Sequence, residues 1–262
     1  MSIYQSVASL EEQGEAGALC TVVSTKGSVP RHQGSKMLVR EDGRIEGSVG
    51  GGEMESRVIA EAMKALAEGK PRMLSYTMVD PTRGDPGVCG GTLEVYIEPI
   101  LPKPFIIVAG GGHVGKAVVQ LSKWLGFRTA VADDRPEFCS PETVPGADEY
   151  YPVPLAELPE AVKINRSTFL ILTTRGSAVD IAGLPSLMKT PARYIGVIGS
   201  RKRWLHTRKA LIEKGVPEED LDRIHSPMGL ELQAETPEEI AVSIMAEVLQ
   251  IRNGGTGKPM KY

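Results

Sequence analysis

The sequence predicts an α/β protein in which a mixed α+β domain, residues 1–101, precedes a doubly wound parallel-sheet domain, residues 102–262. Three observations lead there. Apolar runs alternate with helical patterns through the C-terminal part, as strand–helix–strand units in a parallel sheet require. A glycine-rich stretch, "VAGGGHVG", joins the first of those runs to the first of those helices. The segment "EPILPKPF" carries Pro99, Pro102 and Pro104, which suit neither a helix interior nor a central strand, and it marks the domain boundary.

Along the N-terminal domain, a short amphipathic helix is expected at 3–12, followed by strands at 19–24, 36–40 and 44–47, with "REDGR" as a hairpin turn. A helix over 53–68 places Val58, Ala62 and Leu66 on one face. Strands at 72–77 and 92–98 close the domain. Its topology does not follow from the pattern. In the C-terminal domain, strands are expected at 105–109, 128–132, 168–173 and 194–198. The helix after the glycines repeats Val114, Val118, Leu121 and Leu125 on one buried face and stops at Gly126. The last helix starts with Thr236 as N-cap, Pro237 at its first position and Glu239 closing a capping box; Ile240, Ile244, Val248 and Ile251 form its stripe.

Composition excludes several classes. A net charge of -3 over 262 residues supplies no global field for nucleic acid or anionic membrane. No apolar run approaches the ~20 residues of a membrane span, and no signal peptide is read at the start. Three separated cysteines, Cys20, Cys89 and Cys139, fit a reducing cytoplasm better than a disulfide framework. The four histidines lack zinc-ligand spacing. A cytoplasmic protein is expected.

Gly110, Gly112 and Gly115 fit G-x-G-x-x-G between a strand and a helix. The first glycine permits the tight turn, the second lets amides approach a pyrophosphate, and the third lets helix and strand pack closely. His113 is expected near the phosphates. Asp133, about twenty residues on, is positioned to accept from a ribose hydroxyl, and Asp134 disfavours a 2′-phosphate. These features make the parallel-sheet domain Rossmann-like. A ligand-free βα turn is the plain alternative. In "YIGVIGSRKRW", Gly199 and Ser200 lead into a helix whose first turn carries Arg201, Lys202 and Arg203, a cost against the macrodipole that an anionic ligand would reverse. A solvated basic face explains them equally well. His225 is the one candidate proton donor for hydride chemistry, and a structural histidine fits it as readily.

Two glycine-rich turns mark the N-terminal domain. In "GSVGGGEMESRV", Gly51 and Gly52 deliver the chain into a helix whose first turn carries Glu53 and Glu55, acids that suit the macrodipole. In "DPGVCGGTLEVYIEP", Cys89 stands before Gly90 and Gly91 with little bulk around it, so a functional thiol and a packed turn both remain open.

Taken together, "GSVPRHQGSKMLV", "GSVGGGEMESRVIAEA", "VCGGTLEVYIEP", "VAGGGHVGKAV", "LGFRTAVADDRPEF", "YIGVIGSRKR" and "RIHSPMGLELQAETPEEIAVSI" resemble, in order, the xanthine dehydrogenase accessory factor family, XdhC/CoxI. The resemblance implies a protein that holds molybdenum cofactor, as molybdopterin or its dinucleotide form. It further implies sulfuration with a cysteine desulfurase and delivery to a molybdenum hydroxylase apo-enzyme. It places Cys89 on the family's C-G-G motif as catalytic thiol and molybdenum ligand. Gly51, Gly52, Glu53, Gly110, Gly112, His113, Gly115, Asp133, Gly199, Ser200 and Arg201 are then the expected cofactor-binding residues. Glu53 stands where many relatives carry cysteine and Ser177 where many carry histidine, so a two-thiol mechanism does not transfer. NAD(P) is an alternative ligand of the glycine loop, and a homodimer is an expected assembly. The competing readings are an NAD(P)-dependent oxidoreductase and a nucleotide-sensing regulatory module.

Overall fold

The computed structural model describes residues 2–77 and 91–261, with Glu11 and Glu12 described in backbone only. The chain divides into two compact units, Met1–Pro102 and Lys103–Tyr262.

In the first unit, α1 (Ile3–Gln13) leads to β1 (Gly17–Lys26), β2 (Lys36–Arg40) and β3 (Ile45–Gly47). Helix α2 (Gly52–Glu68), β4 (Arg72–Thr77) and β5 (Thr92–Ile100) come next. The sheet is antiparallel, in the order β3-β2-β1-β5-β4. The pleat sends Ala18, Cys20 and Val22 of β1 to one face, where they share a core with Val58, Ala62 and Ala65 of α2. Strand β5 continues through Pro99, contrary to the expectation that proline would end it. There it pairs with β1 alone, because β4 stops opposite Ile97. A ladder open on one side tolerates a residue without N–H.

In the second unit, β6 (Phe105–Ala109), α3 (His113–Trp124), β7 (Arg128–Ala132), β8 (Glu149–Tyr151) and α4 (Leu158–Ala161) come first. Then come β9 (Thr168–Leu172), α5 (Ser177–Leu187), β10 (Tyr194–Val197), α6 (Arg201–Glu213), β11 (Ile224–His225) and α7 (Pro237–Asn253). All six strands run parallel in the order β11-β10-β9-β6-β7-β8. This is the Rossmann-like, doubly wound arrangement. Every residue of β6 is buried, since both sheet faces are covered. Phe105, Ile107 and Ala109 meet Leu184 of α5 and Leu211 of α6 on one face. Ile106 and Val108 meet Val118 of α3 and Ile244 and Val248 of α7 on the other. Each fully buried branched side chain contributes about 1.5–3 kcal/mol, so the two faces are the main source of this unit's stability. The capping box at Thr236 and Glu239 forms as expected.

Candidate functional site

The carboxyl edge of the parallel sheet is where the second unit departs from a plain packed fold. Strand order reverses between β6 and β9, and ligands of open α/β sheets bind in the crevice such a reversal leaves. Gly110 sits there at φ 114°, and a Cβ on it would lie 2.5 Å from the carbonyl oxygen of Thr173. A Cβ on Gly115 would collide with the Gly110 carbonyl, and the Thr173 hydroxyl donates to that same carbonyl at 2.8 Å. Both glycines are therefore required by packing. Gly112 is different. It is the N-cap of α3 without a side-chain cap, and among the described residues a Cβ there would meet nothing within 4 Å. No internal contact explains a glycine at this place, whereas an anion against the amides of α3 would. His113, the first residue of α3, is exposed beside it.

Asp133 directly follows β7, and its carboxylate is already engaged. Oδ2 accepts from the Gly111 N–H at 3.1 Å and from Arg135 Nη2 at 3.0 Å. Oδ1 accepts from the Arg135 N–H at 3.1 Å and from its Nε at 2.9 Å. A carboxylate offers about four lone-pair sites, so none is left for a ribose hydroxyl. In this conformation Asp133 clamps the glycine loop, and the expected ribose contact would have to displace one of these donors. Its neighbour Asp134 pairs bidentately with Arg175 at 2.5 and 2.8 Å. The guanidinium's hydrogen bonds hold the Asp134 carboxyl down at about 2.

Gly199, Ser200 and Arg201 lie at the same edge, beyond β10. Ser200 caps α6 by accepting from the Arg203 N–H at 3.2 Å, and Arg201 and Lys202 are exposed. Arg203 is no part of a basic first turn facing a ligand. It donates to buried Asp180 at 2.6 and 3.2 Å and to the Thr174 hydroxyl at 2.7 Å, tying α6 to α5 and to the end of β9. Next to Gly199 a wide cleft of about 490 Å³ runs past Met228, Leu230 and Ile240. His225 is oriented by its neighbours: its Nδ1 is 2.8 Å from Glu247 Oε1, and its ring lies 4.7 Å from that of Tyr194.

In the first unit, three glycine-bearing stretches converge at the start of α2. A Cβ on Gly91 would collide with the Ser28 carbonyl, and one on Gly50 would come within 3.1 Å of Pro30. Gly51 is the N-cap of α2 and Gly52 its first residue. Glu53 pairs with Arg57, while its Oε2 is buried without a hydrogen-bond partner among the described residues. Cys89 lies outside the described residues, which resume at Gly91. Cys20 and Cys139 are buried and free. Burial pushes the Cys20 thiol up to about 12 and raises that of Cys139, so neither is a ready thiolate. Among the described residues no cluster of three His, Cys, Asp or Glu side chains could hold a metal ion, and no helix is long and apolar enough to cross a membrane.

The family described as the XdhC Rossmann domain matches residues 106–248, and the XdhC and CoxI family matches residues 10–77. The chain belongs to the XdhC and CoxI family. An uncharacterised Escherichia coli protein, YqeB, is 37% identical to this XdhC-family chain over 262 residues, which is 98% of this chain and 47% of that one. A Bacillus subtilis protein described as a probable xanthine dehydrogenase subunit is 32% identical over 165 residues, 62% of this chain and 47% of that one. This chain spans about half the length of both relatives. The molybdenum cofactor insertion chaperone PaoD of Escherichia coli is 24% identical over 269 residues, 91% of this chain and 84% of that one. A crystal structure described as a xanthine dehydrogenase from Bacillus halodurans shares the fold, with a TM-score of 0.52 at 24% identity over 99% of this chain and 98% of that one.

Two features of this XdhC-family site escaped sequence reasoning. The Arg203–Asp180–Thr174 tie joins residues on three elements, and no local pattern announces it. The pairing of Asp134 with Arg175 had a faint signal, since each lies just past the end of a strand flanking the glycine loop.

Proposed function

We propose that this protein is an accessory factor that holds molybdenum cofactor as cargo, assists its sulfuration, and delivers it to a molybdenum hydroxylase of the xanthine dehydrogenase type. The observation that carries this reading is the open position over Gly112 at the start of α3. It leaves the amides at the start of α3 uncovered by the described residues, at a strand reversal in a chain of the XdhC and CoxI family. The phosphate of a pterin cofactor, or the pyrophosphate of its dinucleotide form, suits those amides. The name of the PaoD relative points the same way.

The first unit would then supply the sulfur chemistry. The glycines that bring Gly91 and Gly50 onto the 28–30 stretch make a crowded backbone cradle beside the α2 N-terminus. Cys89, two residues before Gly91 in the chain, is the proposed thiol: a soft thiolate suits molybdenum or transferable sulfur. A cysteine desulfurase as donor and a homodimer as assembly belong to this proposal.

The test is reconstitution with a xanthine dehydrogenase-type apo-enzyme and cofactor. Cys89→Ser should fold and bind nucleotide as the wild type does, yet fail to activate the partner. Cys20→Ser and Cys139→Ser should activate it normally. Full activation by the Cys89 variant would remove the thiol from the mechanism, and failure of the wild-type protein to bind the cofactor would remove the function.

A further inference from the structure

The crevice at the strand reversal is narrow. The Asp134–Arg175 pair lines a cavity of about 20 Å³ together with an apolar surface of Ala132, Val153, Leu155 and Val179. Such a space holds about one water and is far too small for a nucleotide base. On its wall the bidentate ion pair bridges the segment after β7 to the segment after β9. Both partners of the pair are exposed, with side-chain exposures of 45% for Arg175 and 35% for Asp134. The preceding acid, Asp133, is only 3% exposed and is saturated by Arg135 and Gly111.

We propose that Asp134, rather than Asp133, is the acid that reads the sugar of a bound nucleotide, and that Arg175 is its exchangeable counter-ion. This rests on the reading of the second unit as a nucleotide-binding unit. A ribose diol presents two O–H donors to the two carboxylate oxygens, in place of the two guanidinium N–H groups that hold them in this conformation. An exposed ion pair contributes little net stability, so its exchange for a diol is nearly balanced, whereas breaking the buried Asp133 clamp would release the glycine loop. Once the guanidinium swings out, the apolar surface is open to the face of a base. The same arrangement selects against a 2′-phosphate. Asp134 would repel the dianion, and Arg135, the nearest other cation on that segment, is spent on Asp133 and lies 3.9 Å over the Phe138 ring. Gly111 completes the device, since a Cβ on it would collide with the Phe138 carbonyl, which keeps the 136–138 turn seated on the glycine loop.

Calorimetry of the full chain with NAD, NADP and the nucleoside 5′-diphosphates of the four bases tests this. Arg175→Ala removes a competitor for Asp134 and should tighten the best-bound diol ligand about threefold to fivefold, the range open to an exposed pair. Asp134→Asn should weaken it about tenfold or more, as the loss of hydrogen bonds to a charged group does, and should narrow the preference for NAD over NADP. Gly112→Val, checked for an unchanged melting temperature, should abolish binding of every ligand. If binding is abolished by Gly112→Val but is weakened or unmoved by Arg175→Ala, the exchange is overturned and the nucleotide reading stands. If no ligand binds any of these proteins, the nucleotide reading falls and the proposal falls with it.

Discussion

Glu247 on α7 illustrates how much a single side chain carries in the second unit. Its Oε1 meets His225, and its Oε2 accepts from the Tyr194 hydroxyl and the Gly229 N–H, both at 2.6 Å. Burial alone would raise the Glu247 carboxyl, but hydrogen bonds from His225, Tyr194 and Gly229 outweigh it and bring it below the ordinary carboxylate range. Burial, with Glu247 beside it, pushes the Tyr194 hydroxyl far up, so the tyrosine stays a donor. A depressed folded-state pKa means that Glu247 stabilises the fold above the ordinary carboxylate pKa, and that this contribution is lost as pH falls through the depressed value. Glu247→Ala should cost about 2–4 kcal/mol by orphaning the Tyr194 hydroxyl and the Gly229 amide. Glu247→Gln should cost less and flatten the acid limb of stability, measured by urea unfolding from about pH 7 down to about pH 3. An acid limb identical to the wild type would contradict the assignment. Nothing in the sequence pairs position 225 with position 247, because the contact is made between a strand end and a helix face. That is why the sequence alone shows His225 without its carboxylate partner.

Among the elements, those with a one-sided pattern were the legible ones. Helices α3 and α7 each bury one stripe against the same sheet face, and their residues repeat accordingly. Helix α5 carries no stripe, is apolar on most sides and contains Pro185, so periodicity passes over it. Strands β8 and β11, three and two residues long, are too short to alternate. The basic first turn of α6 was legible as a charge cluster, but its meaning was not. Arg201 faces water, whereas Arg203 turns inward to Asp180, which is fully buried. Removing the cation leaves a buried carboxylate without its partner, so Arg203→Gln should cost about 3–5 kcal/mol, with little dependence on salt. Arg201→Gln should be neutral or slightly stabilising, since it relieves the macrodipole. Denaturation midpoints at low and high salt separate the two. A cost at Arg203 as small as that at Arg201 would mean that the tie is not what holds α6 to α5.

For the whole molecule, the sequence speaks more clearly about the second unit than the first. A buried parallel strand is a continuous apolar run, and a glycine turn into an amphipathic helix has few alternatives, so β6, α3 and the alternation of strands and helices beyond them can be read. The first unit is antiparallel, and which strands pair is decided by long-range register. Strand β1 lies between β2 and β5, a partner more than sixty residues away in the chain, and no local pattern encodes that. The candidate site shows the same divide: the glycine positions were legible, but the saturation of Asp133 was not, because it depends on how Arg135 folds back. Each unit also builds its core from its own residues. One cluster belongs to the first unit, and the two flanking the six-stranded sheet belong to the second. A unit with strands buried on both faces and helices covering each should not need the other to fold. Residues 103–262 expressed alone should therefore unfold in one cooperative transition and bind nucleotide with the affinity of the full chain. They should also fail to activate the hydroxylase, because Cys89 and the α2 cradle are gone. The measurements are a thermal unfolding scan, calorimetry and the reconstituted assay. A fragment that binds dyes for exposed apolar surface and lacks a cooperative transition would show that the sheet's two covered faces are not sufficient. Retained activation would move the chemistry into the nucleotide-binding unit.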